Sequence, residues 1–216
     1  MANSNTAFGL RPIGLTGSGV NSTGVTQYEI ASNNTNPIFQ FSLCVPTAAG
    51  VIDHAGATSG GTTPALGVLM GVEYVDSVSK KPVFKNYWPG SNNASADTNH
   101  PIKAFVADDP NQLFQVASDA TLTDRATALT AVFANASLGT SARTGSTNTG
   151  NSNSALNVAS IAVTATLPLR IVGIVDDFAN NDFAAAGIPF KVRINAHFNA
   201  TTSRFDSQTT ATSTGV

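Results

Sequence analysis

The run Phe190-Lys191-Val192-Arg193-Ile194-Asn195-Ala196-His197-Phe198 alternates apolar and polar residues without a break over nine positions. Successive side chains of a strand point to opposite faces, so this period of two predicts a half-buried antiparallel strand, with Lys191, Arg193 and His197 on its polar side. A helix would instead repeat its apolar stripe every three to four residues. The run over residues 167–175, led in by Leu167-Pro168-Leu169-Arg170 and ended by Asp176-Asp177, reads as a second strand.

Earlier segments add more. Phe39, Phe41, Leu43 and Val45 are spaced to share one face of a strand over residues 38–45. Residues 65–75 read as another, in which Gly67 and Gly71 predict bulges or close backbone approach. Residues 82–88 form a third, stopped by Pro89-Gly90. Residues 102–107 and 112–117 flank Asp108-Asp109-Pro110-Asn111, a turn sequence that predicts a hairpin. Residues 121–138 are the only helix candidate, with Thr121 or Thr123 as cap and Leu122, Ala126, Leu129, Val132 and Phe133 as its apolar stripe. Many short strands without βα alternation predict an all-β fold, an antiparallel β-sandwich or β-barrel with at most one short helix.

The polar parts set the domain organisation. Residues 1–36 are poor in charge and rich in Asn, Gly, Ser and Thr, and read as an extended N-terminal arm. Its one apolar island, Phe8-Gly9-Leu10-Arg11-Pro12-Ile13-Gly14, reads as an anchor that docks on its own domain or on a neighbour. Residues 37–198 form the β-rich domain, interrupted by a long polar loop over 139–157, and residues 199–216 are a Thr/Ser-rich, extended or frayed tail.

Composition narrows the function. Charged residues make up 11% of the chain, where ordinary domains carry about 25%, and Ser, Thr and Asn supply about three residues in ten. Such side chains lose less entropy on contact than Lys or Glu, which suits permanent packing against other subunits. A net charge of -2 and a pI near 5.8 argue against binding nucleic acid through phosphate neutralisation. The nearest basic cluster, Lys80, Lys81, Lys85 and Lys103, is interrupted by Asp97 and reads as a solvated edge. The first residues have neither the basic nor the apolar region of a signal peptide, and no apolar run reaches the length of a membrane span. The expectation is a soluble chain made in a cytoplasm, with no membrane partner.

Chemistry-bearing patterns are sparse. Cys44 lies in an alternating run and reads as a small buried thiol, and with a single cysteine no intrachain disulfide is possible. His54, His100 and His197 lack metal-ligand spacing. Nucleotide-binding glycine loops and nucleophile elbows do not occur. Asp108-Asp109 and Asp176-Asp177 each end a strand; neighbours on a strand face apart, so turn capping is the first reading. A Ca²⁺ site completed by Asp182, or carboxylates facing across a cleft, remain the alternatives. Tyr87-Trp88-Pro89-Gly90 is either a sugar-binding platform or a core or interface element. No cofactor, resident metal or catalytic group is expected.

The opening Met1-Ala2-Asn3-Ser4-Asn5-Thr6-Ala7-Phe8-Gly9-Leu10-Arg11-Pro12-Ile13-Gly14 resembles that of small structural proteins of tailed phages, notably marine and cyanobacterial ones. Residues 102–116, 167–177 and 191–198 are similar to segments of the same group, in the same order. The resemblance implies a non-enzymatic virion protein on the capsid exterior. Its role would be decoration or cement, as a self-associating homo-oligomer or a subunit linking capsomers, with the major capsid protein and neighbouring copies as partners. Phe8, Leu10, Pro12 and Ile13 would then dock in a neighbour's groove, with Arg11 meeting an acidic rim or carbonyls. A phage-surface adhesin or glycan-binding β-module is the alternative. A major capsid protein is less expected, since no long spine-like amphipathic helix is present.

Overall fold

The computed structural model of the chain describes residues 3–17, 24–56, 64–139 and 143–200. Alternation in the sequence becomes eleven strands within these residues. They are β1 (Arg11–Leu15), β2 (Thr26–Ile30), β3 (Leu43–Pro46), β4 (Ile52–His54), β5 (Gly67–Val75) and β6 (Pro82–Lys85). β7 (Ile102–Ala107), β8 (Gln112–Ala117), β9 (Asn135–Ala136), β10 (Leu169–Ile174) and β11 (Pro189–Ile194) follow, with one helix, α1 (Arg125–Thr130), between β8 and β9. The fold is all-β, as the strand patterns require.

The strands form two sheets. One has the order β1-β8-β11-β10-β9; the other runs β3-β4-β2-β7-β5-β6. In the second, β3 also pairs with β5, Leu43 opposite Val68. The sheet therefore curls until five of its strands close on one another, and one core fills its interior. Ile102, Ala104 and Val106 of β7 point into it, with Ile30, Leu69 and Trp88. The second core lies between one face of the five-stranded sheet and the closed sheet's β3–β5 side. Phe114, Val116, Phe190 and Val192 meet Leu43 and Val68 there. Burying each such side chain is worth about 1.5–3 kcal/mol.

Both glycines of β5 act as expected. A Cβ on Gly67 would collide with the Ala107 carbonyl oxygen, and the β5–β7 register slips between Leu69 and Gly71, a bulge.

Five expectations change. The strands flanking Asp108-Asp109-Pro110-Asn111 have the expected bounds but do not pair: β7 lies in one sheet and β8 in the other. The turn is an arch between sheets, because β7 finds β2 and β5 while β8 finds β1 and β11. Residues 1–36 do not stand apart as an arm in their described part. β1 edges one sheet, β2 sits inside the other, and Leu10 and Ile30 are core residues.

The helix spans six residues rather than residues 121–138. Asp124 caps it, accepting from the Thr127 N–H at 2.7 Å, and Phe133 at φ +72° turns the chain away to donate its N–H to Ile171 O. The run over 38–45 is broken at Phe41, whose φ of +66° ends the extended backbone before β3.

Last, the 139–157 segment is threaded through the protein in its later half. Ser152, Ser154 and Leu156 are fully buried, and the two hydroxyls bond each other at 2.8 Å. Hydroxyls that satisfy one another can be buried at little cost, which a polar sequence alone conceals. The tail beyond residue 200 lies outside the described residues.

Candidate interaction surface

The apolar island of the N-terminal segment divides between interior and surface. Gly9 sits at φ +81°, where a Cβ would meet the Phe41 carbonyl oxygen, and this close approach seats the chain on Phe41. The Leu10 N–H then donates to Phe41 O at 2.8 Å and its side chain enters the core fully buried. Leu10 is therefore spent on its own domain and cannot dock in a neighbour.

Arg11 turns outward. Its guanidinium carbon lies 4.6 Å from the Phe8 ring centroid and 5.7 Å from that of Phe41. Two rings hold a long cation in one orientation, each contact worth about 0.5–1 kcal/mol at an exposed position. Pro12 removes a backbone donor from this edge strand, and a register shift between Pro12 and Gly14 leaves Ile13 38% exposed. Of the five residues expected to make contacts, Arg11 and Ile13 are exposed, Phe8 and Pro12 are half-buried and Leu10 is interior. Phe41 belongs with them. Sequence spacing missed it because its left-handed backbone takes it off the strand face.

Amide side chains hold the residues before the island. Asn3 Nδ2 donates to the carbonyls of Asp182 and Ala186 at 2.9 Å each, and its Oδ1 accepts from the Asp182 N–H at 3.0 Å. Asn180 Oδ1 accepts from the Asn5 N–H at 2.7 Å. Beside Phe8 and Arg11 runs a groove of about 430 Å³ whose other wall is Ser146, Thr149, Asn151 and Asn153. It offers a cation, the Phe8 ring and neutral hydrogen-bonding groups to a partner surface.

The remaining candidates are dispersed. Cys44 is fully buried, and burial pushes its thiol pKa up to about 12, which leaves little thiolate at neutral pH. His54 and His197 are both interior, so His197 does not lie on an open polar face as its place in the alternation implied.

Asp108 and Asp109 part company. Asp108 accepts from Thr26 Oγ1, Tyr28 Oη and Asn199 Nδ2 at 2.9, 2.6 and 3.1 Å, while Asp109 accepts from the Asn111 N–H at 2.7 Å. Burial first, and then this bond to Asp108, raise the Tyr28 pKa. Asp177 and Asp182 likewise accept backbone N–H bonds two residues on, from Ala179 and Ala184. Turn chemistry accounts for Asp109, Asp177 and Asp182. No group of three or more His, Cys, Asp or Glu side chains placed to hold a metal occurs among the described residues. Trp88 is fully buried and Tyr87 stacks on Phe39 at 5.2 Å, so the indole offers no platform to a sugar.

Within the lysine cluster, Lys80 Nζ bonds Asp97 at 2.8 Å and Lys103 lies 3.7 Å from Glu73. The Lys80 bond, and after it the Asn99 backbone N–H, hold the Asp97 carboxyl well below the usual carboxylate range. A pKa depressed on folding adds stability above the unfolded value of about 4, and that stability is lost as pH falls through the folded value. Asp97→Asn is therefore expected to lower the urea midpoint at neutral pH, with the gap to the native chain closing in acid. Midpoints measured across pH check this; a gap constant with pH would refute it.

No family model matches the chain, and neither a curated protein nor a solved structure matches it significantly.

Proposed function

We propose that this chain is a virion structural protein that decorates an assembled phage capsid shell, binding the major capsid protein and bridging neighbouring subunits. The observation that carries this reading is the open edge of β1. There Arg11 is held between two phenyl rings and Ile13 is pushed out by a bulge beside a polar groove. A contact element already ordered on its own domain forfeits little entropy when a partner covers it. The ordered resemblance to phage structural proteins and the charge-poor, amide- and hydroxyl-rich composition point the same way. Weak contacts of this kind, repeated by the symmetry of a shell, stabilise the assembled state and not its free subunits.

The test is co-sedimentation of the purified chain with shells of the phage that encodes it, stripped of this protein. The native chain should bind and raise the shells' thermal stability. Arg11→Ala combined with Ile13→Ser should bind at least about tenfold more weakly while keeping a cooperative melt only a few degrees below the native one. A native chain that ignores shells, or that localises to tail or fibre tips, overturns the reading in favour of an adhesin.

A further inference from the structure

The five-stranded sheet is electrostatically one-sided. Its strands contain four cations, Arg11, Arg170, Lys191 and Arg193, and no Asp or Glu. Register places all four on the face turned away from the core. Arg11 lies opposite Gln115, Gln115 opposite Lys191, and Arg193 opposite Arg170. Directly opposed residues have Cα atoms only about 4.5–5.5 Å apart, so Arg170 and Arg193 are neighbours on this face, where Arg170 Nε donates to Asn135 Oδ1 at 2.6 Å. Burial and then Arg193 lower the pKa of Arg170. The buried Arg193 Nε has no hydrogen-bond partner among the described residues. An acidic surface would complement the cations of this face.

The opposite charge collects at one end of the same sheet. The segments after β8 and β10 carry Asp119, Asp124, Asp176, Asp177 and Asp182 against Arg125 alone. Cross-bonds draw them together: Leu122 N–H to Phe183 O at 2.9 Å, Ser118 N–H to Ile188 O at 2.9 Å, and Arg125 Nη2 to Asp176 at 3.4 Å. From that end projects Phe178, 95% exposed and flanked by Asp177 and Asp176. Arg170 is the second residue of β10 and Asp176 follows its end, so the Arg170–Arg193 pair lies about 20 Å from the acidic turn. The outer face thus carries cations as far along as Lys191, opposite Gly173, and the carboxylates lie in the turns beyond the strand ends. A phenyl ring between carboxylates suits a surface of guanidinium planes and alkyl stems, with Leu113 beside them.

We propose that copies of this chain associate head to tail, the Asp176-Asp177-Phe178 turn of one docking on the Arg170–Arg193 face of the next. Because the two patches differ, the contact is heterologous and propagates into rings or open chains. It goes beyond the capsid reading and does not depend on it, since the association belongs to the isolated chain.

Sedimentation velocity of the purified full chain tests it. Concentration-dependent association is expected at about 50 mM salt and should weaken strongly at about 500 mM, where exposed charges are screened. Asp176→Lys with Phe178→Ser alters only exposed side chains and should weaken association at least about tenfold, as should Lys191→Glu with Arg193→Glu. Each double variant alone should run as a monomer. An equimolar mixture should form heterodimers and nothing larger, because only one intact pair of patches remains. If the sheet-face variant fails to fold, the turn variant decides alone. A native chain that stays monomeric at both salts, association that survives the turn variant, or a monomer whose basic face binds nucleic acid or another acidic protein instead, each overturns the proposal.

Discussion

Deletion of residues 1–14 is expected to unfold the five-stranded sheet, rather than to leave an intact β-domain that lacks one contact. Leu10 is fully buried among Phe114, Val116 and Leu43, and truncating a buried leucine costs about 2–5 kcal/mol even when the rest of the strand stays. Here most of β1 leaves with it. The edge of β8 opens to water, and the Gln112 side chain loses the Gly14 carbonyl, to which it donates at 2.6 Å. The amide clamps of Asn3 and Asn5 on residues 180–187 also go, at about 1 kcal/mol for each hydrogen bond. Domains are stable by only about 5–15 kcal/mol, so losses on this scale consume most of the margin. The truncated chain should lose its cooperative melt by circular dichroism and be digested rapidly by protease. A deletion product that melts like the native chain would refute this account. Capsid binding is therefore tested with Arg11 and Ile13 substitutions, since a deletion would confuse lost contact with lost fold.

Local signals in the sequence decide where strands begin and end, and distant partners decide where they go. The bounds of β7 and β8 were legible to the residue because the period of two stops at Asp108-Asp109-Pro110-Asn111. That the two strands separate into different sheets was not. A turn sequence reports a change of direction, and the competing partners β2 and β11 lie about 75 residues away in either direction. β2, Thr26-Gln27-Tyr28-Glu29-Ile30, was hidden in a polar segment because it buries only Ile30 fully. Its evidence is the ladder from Thr26–Val106 to Ile30–Ile102, which local composition does not encode. At the surface, Arg11 and Ile13 of the apolar island are exposed, as an anchor that meets a neighbour requires. Leu10 and Phe41 were not, since one turns inward and the other leaves the strand conformation.

Trp88→Ala should be the most damaging single substitution in the closed sheet. The indole is fully buried, meets Tyr74 edge-on at 5.7 Å and 88°, and donates from Nε1 to Asn34 O at 3.1 Å. Its backbone N–H and C=O both pair with Ile38, at 2.9 Å each way. The following turn is equally constrained, for Gly90 lies at φ +86° where a Cβ would strike the Thr35 carbonyl oxygen. Trp88 thus ties residues 34–38 to the core beside β5. Removing a buried tryptophan costs about 3–5 kcal/mol, which for a chain of this size lowers the melting temperature by about 10–15 °C. Trp88→Phe keeps much of the volume and leaves the Asn34 carbonyl without its donor, so it should cost less, about 1–3 kcal/mol. The native protein has this one tryptophan, so its emission should be blue-shifted and resist acrylamide quenching until the chain unfolds. An exposed sugar platform gives the opposite pattern: accessible fluorescence, an unchanged melt in Trp88→Ala, and a loss confined to ligand binding. Thermal melts of the two variants therefore separate a structural tryptophan from a recognition residue without any knowledge of the ligand.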